Sequence, residues 1–351
     1  MNDLNEHTEE SGELYEHYRF VVDGGQNPLR IDKYLFTKLA DASRNRIQNA
    51  AKAGNILVND KVVKPNHKIK PHDIITIVLA YPPRDTEIYP EEIPVNIVYE
   101  DNDILVVNKA AGMVVHPGHG NFTGTLLNAL VYYFQNSPGN KAIEAKPYLA
   151  HRIDKDTTGI LLIAKNEIAQ SKLAKQFFDH SVNRTYLALV WGDFGDDEGT
   201  VTGNIGRSPR DRTVMTVYDD EEVGRHAVTH YRVVERFGYV TLVECRLETG
   251  RTHQIRTHFK HIGHPIFNDA KYGGDKILKG TTFTKYKQYI ENCFGLMPRQ
   301  ALHAKSLGFI HPSTRKPLFF DSGLPEDFQA VVEKWRKYSG SPLPNSPKGE
   351  E

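Results

Sequence analysis

His151-Arg152-Ile153-Asp154-Lys155-Asp156-Thr157-Thr158-Gly159, followed at once by Ile160-Leu161-Leu162-Ile163-Ala164-Lys165, is the stretch on which the chain turns. A short, densely polar loop runs straight into an apolar segment of the right length for a buried strand. Charged groups carried on a rigid buried element are how a reactive carboxylate is presented. In an extended segment residues two apart share a face, so Arg152 and Asp154 point together while Ile153 points into the core. A neighbouring guanidinium favours the ionised carboxylate, and an ionised carboxylate can act as nucleophile or base. Taken in isolation, such a pair more often simply braces a turn. Asp156-Thr157-Thr158-Gly159 reads as the turn itself, with Asp156 capping it and Gly159 relieving strain.

Working outward, the chain has 351 residues, 39% hydrophobic and 25% charged, enough for a sizeable core and two domains. It holds no run of eighteen apolar residues, so no membrane span is expected. The acidic start lacks the pattern of a signal peptide. Two cysteines, Cys245 and Cys293, are too few for a disulfide framework or a cysteine zinc site, which points to the cytoplasm. The net charge of zero hides an uneven distribution. Residues 1–20 carry six acids and one arginine; residues 28–80 carry ten Lys/Arg and four Asp; residues 81–103 carry seven acids and one arginine. A basic unit between acidic flanks suits a nucleic-acid partner.

That unit reads as two helices and a small sheet. Ile31, Leu35 and Leu39 share a helical face. Ser43 caps a second helix through Ile47, Ala50 and Ala51, which Gly54 ends. Ile56–Val58, Asn59-Asp60 and Val62-Val63 form a hairpin, and Ile74–Leu79 another strand. Arg44, Arg46 and Lys52 make the second helix basic. With Arg30-Ile31-Asp32-Lys33-Tyr34-Leu35 and Gly54-Asn55-Ile56-Leu57-Val58-Asn59-Asp60-Lys61, the pattern resembles the αL RNA-binding domain named after ribosomal protein S-four. The resemblance sets Arg44 and Arg46 against structured RNA.

The expected organisation is a disordered acidic tail over 1–18, the αL domain over 19–80, a linker over 81–94, a catalytic domain over 95–338 and a disordered tail over 339–351. Beyond the linker, strand-like runs at 97–99, 104–107, 160–163, 186–190 and 240–243 and helices at 125–134 and 169–178 favour an α+β fold with a mixed sheet.

Two further motifs carry chemistry. Gly250-Arg251-Thr252-His253-Gln254-Ile255-Arg256-Thr257-His258 sits at a strand-to-helix junction, where helix amides and cations converge on an anion. Tyr186, leading a strand in Asn183–Val190, could offer its ring to a base or its hydroxyl as an acid or base. His253, His258, His261 and His264 cluster without the His-Glu-x-x-His pattern, so no metal is expected. Gly118–Gly124 has neither dinucleotide nor P-loop spacing.

In order along the chain, Asn108-Lys109-Ala110-Ala111-Gly112, His151–Gly159, Arg184-Thr185-Tyr186, Arg246–Arg256, Tyr272-Gly273-Gly274 and Arg299–Ala304 resemble the RluA class of pseudouridine synthases, nearest its RluD-like branch. One departure is Ala110, where the family usually has Pro. The resemblance implies a largely antiparallel mixed sheet with a central cleft. It also implies isomerisation of uridine in RNA, in large-subunit (23S) ribosomal RNA or a ribosome precursor, by a cytoplasmic monomer needing no cofactor. Asp154 becomes the essential carboxylate, Tyr186 the residue that stacks on uracil and assists proton removal from C5, and Arg251 the partner of Asp154. Arg152 fills the gap left by the extruded uridine, and Ile255 and Leu302 wall the pocket. The rival reading is a non-catalytic RNA-binding ribosome-assembly factor.

Overall fold

The computed structural model describes residues 15–39, 42–79, 88–118, 121–143, 145–220 and 222–340. Two compact units divide between Glu87 and Ile88.

The first unit runs β1 (Tyr15–Val21), α1 (Ile31–Lys38), α2 (Arg44–Lys52), β2 (Ile56–Val58), β3 (Lys61–Val62) and β4 (Ile74–Leu79). Its sheet is ordered β1-β4-β2-β3 and antiparallel throughout. Ile31, Leu35, Ile47, Ile56 and Ile75 pack into one small core. Ser43 caps α2 by accepting the Arg46 amide, and Gly54 leaves it at φ +82°, the left-handed conformation that glycine adopts without cost. Asn59 and Asp60 both take positive φ in the β2–β3 turn, as a two-residue hairpin requires. One boundary moves: β1 begins at Tyr15 and pairs with β4, so residues 15–18 belong to the sheet and not to a tail. Backbone pairing with β4, together with Phe20 packed on the small core, holds this strand in place although the residues before it are acidic. Residues 1–14 lie outside the described residues.

The second unit contains β5 (Ile97–Glu100), β6 (Ile104–Lys109), α3 (Leu126–Asn136), α4 (Pro138–Ala142), β7 (Tyr148–Leu149), β8 (Thr158–Ala164), α5 (Glu167–Phe178), β9 (Asn183–Trp191), β10 (Glu198–Arg207), β11 (Met215–Tyr218), β12 (Arg225–Arg236), β13 (Val240–Leu247), α6 (Gln254–His261), α7 (Thr284–Leu296), β14 (Leu302–Ile310), β15 (Pro317–Asp321) and α8 (Glu326–Ser339). An 11-stranded sheet runs β11-β10-β12-β13-β9-β14-β8-β6-β5, with β15 on β14 and β7 on β8. Among its described pairings only β14–β8 is parallel. The expected mixed, largely antiparallel α+β sheet is therefore what forms.

The unit starts earlier than expected. Glu91 donates its amide to the Asn128 carbonyl and Tyr89 accepts from the Asn128 side chain; residues 88–94 are fastened to α3 and are not a free linker. At the other end α8 continues to Ser339, and Gly340 is its C-cap; residues 341–351 lie outside the described residues.

Every residue of β8 is buried. Leu161 and Ile163 enter the main core on one face, and Ile160, Leu162 and Ala164 a second core on the other. Burial on both faces explains the unbroken apolar run, at about 1.5–3 kcal/mol per large side chain. β14 lies between β8 and β9: Ala304 is registered with Gly159 on one side and Tyr186 on the other. A Cβ on Gly159, whose φ is +116°, would stand 2.1 Å from the Ala304 carbonyl oxygen, so only glycine permits this approach.

Candidate active site

The polar loop before β8 is held from several directions. Ile153 is buried, Thr157 donates its amide to the Asp154 carbonyl at 3.2 Å, and the buried Lys109 ammonium donates to the carbonyls of Lys155, Ala110 and Met113 at 2.7–2.8 Å. Burial pulls Lys109 down to about 7, against the demand of three acceptors for all three of its protons. The anchorage leaves the Asp154 side chain one-fifth exposed. Among the described residues no side-chain hydrogen bond to Asp156 caps the turn; it is its carbonyl that is engaged, by Arg299 at 3.2 Å.

Asp154, Tyr186, Arg152, Arg251, Ile255 and Leu302 all line one cavity of about 490 Å³. Tyr186 comes from the middle of β9, Ile255 from α6 and Leu302 from the start of β14, the latter two almost wholly buried. Burial pushes the Tyr186 phenol up. Asp154 also borders a second, wider cavity of about 1060 Å³ with His116, Lys155, Lys271 and Arg299 in its wall.

The partner of Asp154 is not the expected one. Arg256 donates from Nη1 to Asp154 Oδ2 at 3.0 Å, while its Nε and Nη2 form a fork on Asp269 at 2.7 and 2.8 Å. Its guanidinium also lies 4.9 Å from the centre of the Tyr272 ring. Burial opposes the Arg256 charge, but the hydrogen bonds and charges of Asp269 and Asp154 hold its pKa above the ordinary value. Arg251 instead donates Nε to the His226 carbonyl at 2.9 Å, because it precedes α6 and faces β12. Arg256 sits in the first turn of α6, on its buried side. The signal in sequence was position: of the two arginines in Gly250–His258, only Arg256 lies inside the helix, on the side that is carried toward Asp154. Arg152 does not pair with Asp154 either; it is exposed and makes no side-chain hydrogen bond or ion pair among the described residues.

The histidine cluster does not converge: His253 meets Tyr272, His258 meets Thr229 and His264 meets the Trp191 carbonyl. Among the described residues the trio Asp101, Asp103 and His311 has cation-ligand spacing. Asp101 is already engaged there by two amides, the Tyr99 hydroxyl and His311, and none of the three lines either Asp154 cavity.

In the first unit, Asp32 is fully buried and accepts from Arg30, Arg44 and Gln48. Arg30 foremost, with Gln48 and Arg44, holds its carboxyl below the usual range despite burial. Arg44 is thus partly structural, its side chain 45% exposed, whereas Arg46 and Lys52 are exposed on α2.

This geometry meets a consistent set of relatives. Residues 103–261 match the family model described as RNA pseudouridylate synthase, and residues 29–75 match the S4 domain. An uncharacterized RNA pseudouridine synthase of Chlorobaculum parvum is 45% identical over 89% of this chain and 95% of its own. The chain belongs to the RNA pseudouridine synthase family. The ribosomal large subunit pseudouridine synthase D of Zymomonas mobilis is 41% identical over 87% of this chain and 93% of its own. A solved structure, human RNA pseudouridylate synthase domain containing 4, superposes with a TM-score of 0.56 at 26% identity, covering 69% of this chain and 93% of that one. The pseudouridine synthase is accordingly an isomerase acting on uridine in RNA, with an N-terminal RNA-binding domain of the S4 type.

Proposed function

We propose that this pseudouridine synthase acts on large-subunit ribosomal RNA, free or in a ribosome precursor, with Asp154 as its essential carboxylate. One observation carries the assignment of Asp154: it is a partly exposed carboxylate held by a buried, doubly anchored arginine in the cavity that also contains Tyr186. The rRNA substrate is supported by the name of the Zymomonas relative.

In the reaction the bond from ribose C1′ to uracil N1 breaks, the base turns, and C1′ is joined to C5. The proton lost from C5 is balanced by one gained at N1, so mass is unchanged. Asp154, held by Arg256, supplies the carboxylate at the ribose–base junction. Tyr186 offers a ring face to uracil and assists removal of the C5 proton, its hydroxyl passing its own proton on toward N1 as it takes up the one from C5, while Ile255 and Leu302 keep the detached base from water. Extruding the uridine costs a few kcal/mol, and the unpaired Arg152 fills the vacancy. Arg251 holds its loop against β12 and adds positive charge to the wall. Arg46, Lys52 and, in part, Arg44 bind phosphates.

The enzyme works as a cytoplasmic monomer without metal, nucleotide or reductant; no helix among the described residues is long and apolar enough to cross a membrane. The test is pseudouridine mapping of total RNA from cells lacking the protein and from cells complemented with wild type or Asp154→Ala. Sites in large-subunit RNA that vanish, return with wild type and stay absent with the variant are expected. Full restoration by Asp154→Ala would refute the assignment; RNA binding by wild type with no site lost would favour an assembly factor.

A further inference from the structure

His253 is the second group facing Asp154. Its Nε2 lies 4.0 Å from Asp154 Oδ1, the carboxylate oxygen that Arg256 does not bind. The residue precedes α6 with φ +53°, a left-handed conformation that is strained for a non-glycine residue. What imposes it is the neighbouring Gln254, itself buried. Its Oε1 accepts from the Arg251 amide and the Thr249 hydroxyl, and its Nε2 donates to the Val228 carbonyl and Thr229 hydroxyl. With every polar atom of that amide used, the turn is over-determined and His253 is aimed inward.

The other side of the ring fixes its proton. His253 Nδ1 and the Tyr272 hydroxyl are 2.9 Å apart. That hydroxyl already accepts from the Met215 amide at 3.0 Å and the Thr257 hydroxyl at 3.3 Å. Its own proton is therefore left for Nδ1, which must be the acceptor. A neutral imidazole with an acceptor at Nδ1 carries its proton at Nε2, and that N–H faces Asp154.

We propose that His253 is a positioning residue for the isomerisation, presenting a neutral Nε2–H to Asp154 Oδ1 while Arg256 holds Oδ2. The two donors fix the carboxylate plane, and the 4.0 Å separation closes to a hydrogen bond when substrate binds, as catalytic contacts commonly do. Burial favours the neutral ring, lowering its pKa; Asp154 and Asp269 oppose this, and Arg256 and Lys271 reinforce it.

The inference rests on the proposed chemistry at Asp154, and its test keeps the two apart. Single-turnover pseudouridine formation is measured with excess enzyme on large-subunit RNA from cells lacking the protein. Wild type against Asp154→Ala tests the function itself. Given that contrast, His253→Ala and His253→Asn are expected to slow turnover by roughly 10- to 100-fold with RNA affinity unchanged. His253→Gln, whose amide N–H reaches the Nε2 position, restores most of the rate. Tyr272→Phe removes the donor to Nδ1. Among the groups facing His253 (Asp154, Asp269, Arg256, Lys271 and Tyr272), this substitution alters only the last. It frees the neutral ring to carry its proton on Nδ1, which turns a bare Nε2 toward Asp154, so the rate at neutral pH falls, and the loss is abolished in Tyr272→Phe/His253→Gln. A wild-type rate in folded His253→Ala, a Gln variant as slow as Ala, or a Tyr272→Phe rate identical to wild type would each overturn the proposal.

Discussion

Arg256 binds two carboxylates at once, and its replacements separate stability from chemistry. Removing the guanidinium would leave the buried Asp269 without its charge partner, which costs about 3–5 kcal/mol and confuses any activity measurement. Arg256→Lys keeps the charge but cannot make the planar three-way contact. We expect this variant to fold, to bind RNA with unchanged affinity and to lose roughly 100-fold in turnover; turnover near wild type would show that Asp154 needs only charge nearby. Gly159 makes a different demand. Gly159→Ala drives a Cβ into the Ala304 carbonyl and should cost on the order of 3 kcal/mol. Denaturant unfolding reads this directly, and an unshifted midpoint would mean that β8 and β14 can part without penalty.

On α2, the three basic residues have unequal duties. Arg46 and Lys52 are free to meet phosphates, so Arg46→Ala/Lys52→Ala should reduce the slope of log affinity against log salt by about 1.5 with melting unaltered. Arg44→Ala should also lower the melting temperature, since Asp32 loses one of its three side-chain donors; equal melting of Arg44→Ala and wild type would contradict this division. The second helix, its Ser43 cap and the Asn59-Asp60 turn were legible from residue type and spacing, because local backbone chemistry decides them. β8 was legible from its apolar run. β12, α7 and α8 escaped: their half-buried, mixed-polarity patterns acquire meaning only when the strands and helices they cover are in place. The Arg256–Asp154 pair escaped for a related reason. It joins residues 102 positions apart, and the sequence motif around Gly250 contains two arginines whose directions differ only once α6 has formed.

Among the described residues, His258 and His303 are buried and His151 half-buried, each as a neutral ring. His151 accepts the Leu162 amide, His258 faces Thr229, and His303 sits between Thr158 and Ser322. Burial lowers them to about 3, 4 and 4 respectively. Because these values lie below that of an unfolded histidine, about 6.5, their contribution is present above pH 6.5 and is lost as the unfolded chain takes up protons down to pH 4. Stability should therefore fall by up to about 1.4 kcal/mol per pH unit per histidine in that range; urea midpoints that stay level from pH 7 to pH 5 would refute it. The position of β14 in the fold has a consequence in time. Asp154 lies in the loop that leads into β8 and Tyr186 on β9, but the strand between β8 and β9 is made of residues 302–310. A chain growing from its N-terminus synthesises Asp154 and Tyr186 more than a hundred residues before the strand that sets their spacing. Catalytic competence thus arrives late and all at once, so that a prematurely terminated product would carry the RNA-binding domain and the key side chains yet possess no assembled cleft.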